Sequence, residues 1–173
     1  LGDVYKRQTY LGEEGFPPLA IKGASLEGGR LVIDASMSSQ YVSALLMIAP
    51  YLRGGLTLEL ASEIGSMPYV DMTLEMMRRA GAAAERDRLS IEVKEGGYTT
   101  PALDIEADWS AASYWYEIEA VSSGFITLLG LCRDSCQGDS VTAEIYRQIS
   151  VTTEFNPDYN GQGPAAELCA SPD

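Results

Sequence analysis

With 173 residues, 46% of them hydrophobic and 21% charged, the chain has the balance of one ordinary globular domain or two small ones, and its composition excludes wholesale disorder. Its 25 acidic residues against 12 basic ones give a formal net charge of -13, and no basic cluster interrupts that excess, which argues against a nucleic-acid or anionic-membrane surface. No apolar run approaches the roughly 18 to 20 residues of a membrane-spanning helix, and the first residues lack the apolar core of a signal peptide, so a cytoplasmic chain without a membrane segment is expected.

Residues 1–8, "LGDVYKRQ", are polar, lack a clear period and read as a non-native junction outside the fold. From Gly28 the alternation of "GRLVID" predicts a strand, followed by a helix that begins near Ser38 or Ser39. "GLTLEL" predicts a second strand. A second helix is predicted over 67–80, with Ser66 as N-cap, Pro68 in its first turn and Gly81 just past its end. Val70, Leu74 and Met77 fall on one stripe of that helix, and Glu75 stands at helical pairing distance from Arg78 and Arg79. Strands over 83–86 and 90–93 close the unit, and "KEGGYTTP" is turn-rich.

The order strand, helix, strand, helix, strand, strand then restarts, with "LDIE" (103–106) matching "LVID" (31–34) after about 70 residues. Asp108 is placed to cap a helix over 109–121, "GFITLLGL" predicts a strand, 139–149 a helix, and "VTTEF" and "AAELCA" the closing strands. Ser150 stands where the first copy has Gly81, so the second helix of this copy lacks its glycine stop. The odd set Cys132, Cys136 and Cys169, in a chain with no histidine, is read as reduced thiols and not as a metal site.

"SMSSQYVSALLMIAP" (36–50) crowds polar side chains ahead of a helix that must be buried. A helix N-terminus presents unpartnered backbone N–H groups and partial positive charge, so it can hold phosphate without Lys or Arg. Ser38 and Ser39 sit at one such terminus and Ser66 at the next, so an acidic chain can accept an acidic ligand there. Serine is also a preferred N-cap, and both readings account for the pattern. Elsewhere, "SYWYEIEA" (113–120) reads as a packed helix, Glu117 and Glu119 as its solvated face, and "DSCQGDS" (134–140) as a loop into a helix with Gly138 and Asp139 as turn and cap.

The segments "YLGEEGFPPLAIKG", "DASMSSQYVSALLMIAP", "GSMPYVDMTLEMMRRAG", "EADWSAASYW" and "DSCQGDS", in this order and spacing from about Tyr10 to Phe155, resemble the EPSP synthase family of enolpyruvyl transferases. "DWSAASYWYEIEA" and "DSCQGDS" are most similar to the branch typical of Bacteroidetes. The resemblance implies an α/β (α+β) fold of repeated βαβαββ units, the inverted α/β barrel of that family, in two domains with the active site between them. This chain would be the central part: residues 9–103 the end of the first domain, 104–173 the first unit of the second, with the hinge near 103–106.

The resemblance further implies that Ser38, Ser39 and Ser66 contact the phosphate of shikimate 3-phosphate, that Tyr69 supports the same site and that Gln40 reaches both that substrate and phosphoenolpyruvate. The implied chemistry is attack of the shikimate 5-hydroxyl on protonated phosphoenolpyruvate followed by loss of phosphate, with no metal or organic cofactor, in a monomeric parent enzyme. Met67 departs from the lysine of many members. The family's Gly-Ser-Lys-Ser segment, its phosphoenolpyruvate clamp and its proton-transfer groups have no counterpart in this chain, so no residue here is assigned catalysis. Two rival readings are the related transferase acting on UDP-N-acetylglucosamine, against which the Ser-Ser-Gln and Ser-x-Pro-Tyr pair argues, and a non-catalytic phosphate-binding fragment.

Overall fold

The computed structural model describes residues 7–34, 38–61, 65–100, 102–122 and 124–170. A short hairpin, β1 (Gln8–Tyr10) and β2 (Leu19–Ile21), precedes the first predicted strand and had no periodic signal in its three-residue arms. Its first strand begins at Gln8, inside the segment expected to be a junction.

The first unit is β3 (Glu27–Ile33), α1 (Ser39–Ile48), β4 (Arg53–Leu60), α2 (Met67–Arg79), β5 (Ala84–Asp87) and β6 (Ser90–Val93). Its sheet runs β3-β4-β6-β5, with β3 and β4 parallel and the other pairs antiparallel. Alternation decides which face is covered: Leu56, Leu58 and Leu60 of β4 are buried, while Thr57 and Glu59 between them stay partly exposed. Val42 and Leu46 of α1 and Val70, Leu74 and Met77 of α2 pack onto those leucines, Ile91 and Val93 in one core. Each of the larger fully buried chains contributes about 1.5–3 kcal/mol through removal from water.

Helix α2 ends as its glycine predicts. Gly81 takes φ +94°, and its N–H donates to the Arg78 carbonyl while that of Ala82 donates to the Met77 carbonyl, both at 2.9 Å. These two bonds absorb carbonyls that the helix end leaves without partners. Glu75 pairs with Arg79 at 2.9 Å, and Arg78 lies 3.9 Å away.

The second unit is α3 (Trp109–Ser122), β7 (Phe125–Leu129), α4 (Thr142–Arg147), β8 (Val151–Asn156) and β9 (Ala165–Ala170), with sheet order β7-β9-β8, all antiparallel. Its core, Trp109, Ala112, Tyr116, Leu131, Val151, Ala166 and Leu168, shares no residue with the first.

Three expectations need correction here. Residues 103–106 form no strand: a single backbone bond, Ala107 N–H to the Gly130 carbonyl at 2.8 Å, reaches the end of β7, and Ile105 is 74% exposed. The helix predicted over 139–149 is a 3₁₀ turn, Gly138–Val141, followed by the short α4, and Asp139 caps neither, because its carboxylate accepts from the Ser110 hydroxyl at 2.5 Å. Glu119 is not solvated. It is fully buried, one oxygen accepting from the Ala170 N–H at 3.0 Å, whereas Glu117 is exposed.

Asp108 does cap α3, accepting from the Ser110 N–H at 2.8 Å, and the aromatic residues of "SYWYEIEA" divide, with Tyr116 in the core and Tyr114 and Trp115 outside. Ser150 takes the left-handed conformation, φ +69°, and so fills the role of Gly81 at a steric cost.

Candidate functional site

The parallel pairing of β3 and β4 fixes where the two serine-bearing helices start. Ile33 and Leu60 are register partners at the carboxyl ends of these strands, and each strand leads into a helix, so the N-termini of α1 and α2 emerge at the same end of the sheet. That end is where open α/β sheets expose backbone N–H groups to ligands.

The two helices touch along their length. The Thr73 hydroxyl donates to the Tyr69 carbonyl at 2.9 Å, so the 2.9 Å bond between Ser43 and Thr73 has Ser43 as donor. Ser39 lies four residues before Ser43, and Tyr69 four before Thr73. One helical turn towards the N-termini, therefore, the touching faces carry Ser39 on one helix and Tyr69 on the other.

Ser38 stands at the N-cap of α1, exposed, and its Oγ accepts from the Gln40 N–H at 3.3 Å. Ser39 is half-buried and Gln40 exposed. Ser66 occupies the corresponding position of α2, exposed, and its side chain makes no capping bond; only its carbonyl takes part, accepting from the Tyr69 N–H at 3.2 Å. Tyr69 is 52% exposed. Neither helix has an acidic residue in its first turn, so no carboxylate of the turn itself competes with an anion for the helix dipole. Ser36, also part of the serine-rich motif, lies outside the described residues. The geometry thus brings Ser38, Ser39 and Gln40 to one helix mouth and Ser66 and Tyr69 to its neighbour, and four of these hydroxyl or amide side chains, all but Ser39, are exposed.

A second polar constellation has no counterpart in the sequence reading. Glu106 Oε1 accepts from the indole N–H of Trp109 and the backbone N–H of Cys132, both at 2.8 Å, and Oε2 accepts from the Ser135 hydroxyl at 2.6 Å and the Gln137 amide at 3.3 Å. Gln137 also donates to the Ala107 carbonyl at 2.7 Å and accepts from the Trp109 N–H at 3.0 Å. Burial, and after it the neighbouring Glu106 carboxylate, push the Cys132 thiol up from its ordinary value. All three cysteines are free thiols, and among the described residues no group of cysteines and carboxylates is arranged to hold a metal ion. No described helix is long and apolar enough to cross a membrane.

The family model for EPSP synthase (3-phosphoshikimate 1-carboxyvinyltransferase) matches residues 8–166, nearly the whole chain. The chain belongs to the EPSP synthase family. A 3-phosphoshikimate 1-carboxyvinyltransferase of Bacteroides fragilis is 47% identical over 148 residues, which are 84% of this chain and 36% of that protein. One from Sulfurovum is 36% identical over 154 residues, 87% of this chain and again 36% of the relative. The solved EPSP synthase of Acinetobacter baumannii superposes with a TM-score of 0.63 at 21% identity, covering 98% of this chain and 38% of that one. This likeness shows the fold. The chain therefore spans about a third of the length of the EPSP synthase family members it matches, and the matched stretch takes in the first unit and the second as far as the start of β9.

Proposed function

We propose that this chain is the central portion of a 3-phosphoshikimate 1-carboxyvinyltransferase, and that it holds the phosphate of shikimate 3-phosphate between the N-termini of α1 and α2. In this reading Ser38, Ser39 and Ser66 donate to the phosphate oxygens together with the adjacent backbone N–H groups. Tyr69 walls the site, and Gln40 faces the place where phosphoenolpyruvate meets the second substrate. The enzyme transfers the enolpyruvyl group to the 5-hydroxyl and releases phosphate, acting as a monomer in the cytoplasm. The boundary between its two domains falls at about residue 103, a placement supported by two cores with no common member.

The observation that carries this reading is Ser66. It sits at a helix N-terminus with its hydroxyl exposed and unused for capping, so the capping explanation that suffices for one serine fails for this one. Met67, where the family resemblance implies lysine, removes a cation from beside the phosphate and leaves the site to neutral donors and helix dipoles, which counts against tight binding.

Two measurements test it. In a full-length enzyme containing this segment, Ser38→Ala removes a charge-assisted hydrogen bond of about 1.5–3 kcal/mol, so calorimetric titration should show shikimate 3-phosphate binding at least tenfold weaker. The loss of the long 3.3 Å cap should cost only about 1 kcal/mol of stability in thermal unfolding. A variant that melts earlier yet binds as tightly as its parent would show Ser38 to be a cap alone. The 173-residue chain by itself should release no phosphate from phosphoenolpyruvate and shikimate 3-phosphate above a protein-free control, since no residue in it is assigned to proton transfer; turnover would contradict the assignment of roles.

A further inference from the structure

The loop 131–138 belongs to the second unit, yet it runs along α2 of the first. At its far end Asp134, Ser135 and Cys136 line a cleft of about 500 Å³ with Asp71, Glu75 and Arg79. The pKa of the Arg79 guanidinium, in the same cleft, is raised chiefly by its bond to Glu75. At its near end Gly138 lies against Pro68, where a Cβ on the glycine would stand 3.1 Å from the proline Cβ. Residues 68, 71, 75 and 79 follow one another at spacings of three and four, so they form one stripe of α2, and the loop lies along it.

Gly138 is not among the glycines with positive φ, so its missing side chain answers a need for space and not for backbone freedom. Pro68 offers little give: its ring is rigid, and it sits in the first turn of α2, two residues after Ser66 and next to Tyr69. The loop offers little either, because Glu106 and Gln137 bind it at Cys132, Ser135 and the start of α3 through the bonds given above. An added methyl group at 138 therefore has one compliant direction, which is to displace the N-terminus of α2.

We propose that the Glu106-anchored loop 131–138 positions the N-terminus of α2 through the Gly138–Pro68 contact, so that residues of the second unit set the affinity of a phosphate site built from the first. Gly138 and Glu106 are positioning residues, and neither touches the ligand. The affinity part of the inference rests on the phosphate reading of Ser66 and Tyr69; the mechanical part does not.

The experiment uses the 173-residue chain labelled for amide NMR, with shikimate 3-phosphate as probe. Without ligand, Gly138→Ala should shift the amides of residues 66–70 as well as those next to 138. With ligand, binding at those amides should weaken about three- to tenfold while the melting temperature stays close to the parent's. Adding Pro68→Gly removes the atom that the new methyl meets, and the double variant should bind like Pro68→Gly alone, a rescue that general destabilisation does not produce. Glu106→Gln, which places an amide nitrogen where donors now converge, should loosen the loop and perturb the amides of both 138 and 66–70 although residue 138 is still glycine. Shifts confined to 137–142 in Gly138→Ala, or no rescue in the double variant, overturn the proposal. If the parent's amides ignore shikimate 3-phosphate altogether, the phosphate reading fails, and the ligand-free shifts still decide whether the loop positions α2.

Discussion

Tyr116 and Ser38 are both hydroxyl-bearing residues that meet another polar group, and burial separates their roles. Tyr116 is wholly enclosed, shares a 2.9 Å hydrogen bond with Thr153 and packs against Trp109 and Tyr146. Burial raises its pKa above the ordinary 10.0, and the bond to Thr153 offsets only part of that. The neutral phenol is therefore the form that the fold favours. Its contribution to stability is complete below pH 10.0 and is lost as pH climbs through the raised value. Tyr116→Phe should accordingly cost stability near neutral pH, where the hydrogen bond is lost, by about 0.5–1.5 kcal/mol. It should also flatten the fall of stability above pH 10.0, which denaturant unfolding at alkaline pH measures; an unchanged alkaline slope would mean that another group governs it. Ser38 is exposed, and its long bond to Gln40 leaves hydroxyl donor capacity for a ligand.

At the scale of elements, the turns after α2 and α4 pose the same geometrical problem with different residues. Gly81 reaches φ +94° freely, and a Cβ there would collide with the Thr99 hydroxyl at 2.0 Å. Ser150 reaches φ +69° with a Cβ in place. Ser150→Gly should then stabilise the second unit by about 0.5–1 kcal/mol, the left-handed penalty less the extra entropy of an unfolded glycine, read as a higher melting temperature. A lower one would show that the serine side chain has a role of its own.

The same comparison explains what was legible in the sequence. Both helices of the first unit were readable because their signals are local: a serine before each, Pro68 in the first turn, Gly81 after the end, and buried residues at helical spacing. The strand expected at 103–106 was not, because alternation in "LDIE" is local whereas a strand needs a partner edge. Glu106 instead spends its carboxylate on four side-chain and backbone donors that fix the segment in another shape. Glu119 misled for a related reason, since spacing alone says nothing of the Ala170 N–H that draws its carboxylate inward. At the candidate site, the five proposed residues came from local signals and the family resemblance, and neither marks the Ser43–Thr73 bond that holds the two helices side by side.

On the scale of the whole molecule, the two units have separate cores and meet where the loop 131–138 lies on α2, close to the turn that carries Ser66 and Tyr69. The chain spans about a third of the length of its relatives, and the candidate phosphate site is built on elements of one parallel strand pair. The central claim is that the N-termini of α1 and α2 act on one phosphate. The most direct test is an amide NMR titration of the 173-residue chain with shikimate 3-phosphate, with shikimate as the control that lacks the anion. If one phosphate bridges the two helix ends, the amides of 38–41 and 66–70 shift together, along one binding curve, with the phosphorylated ligand and not with shikimate. Shifts at only one of the two helix ends, or equal shifts with shikimate, would contradict it.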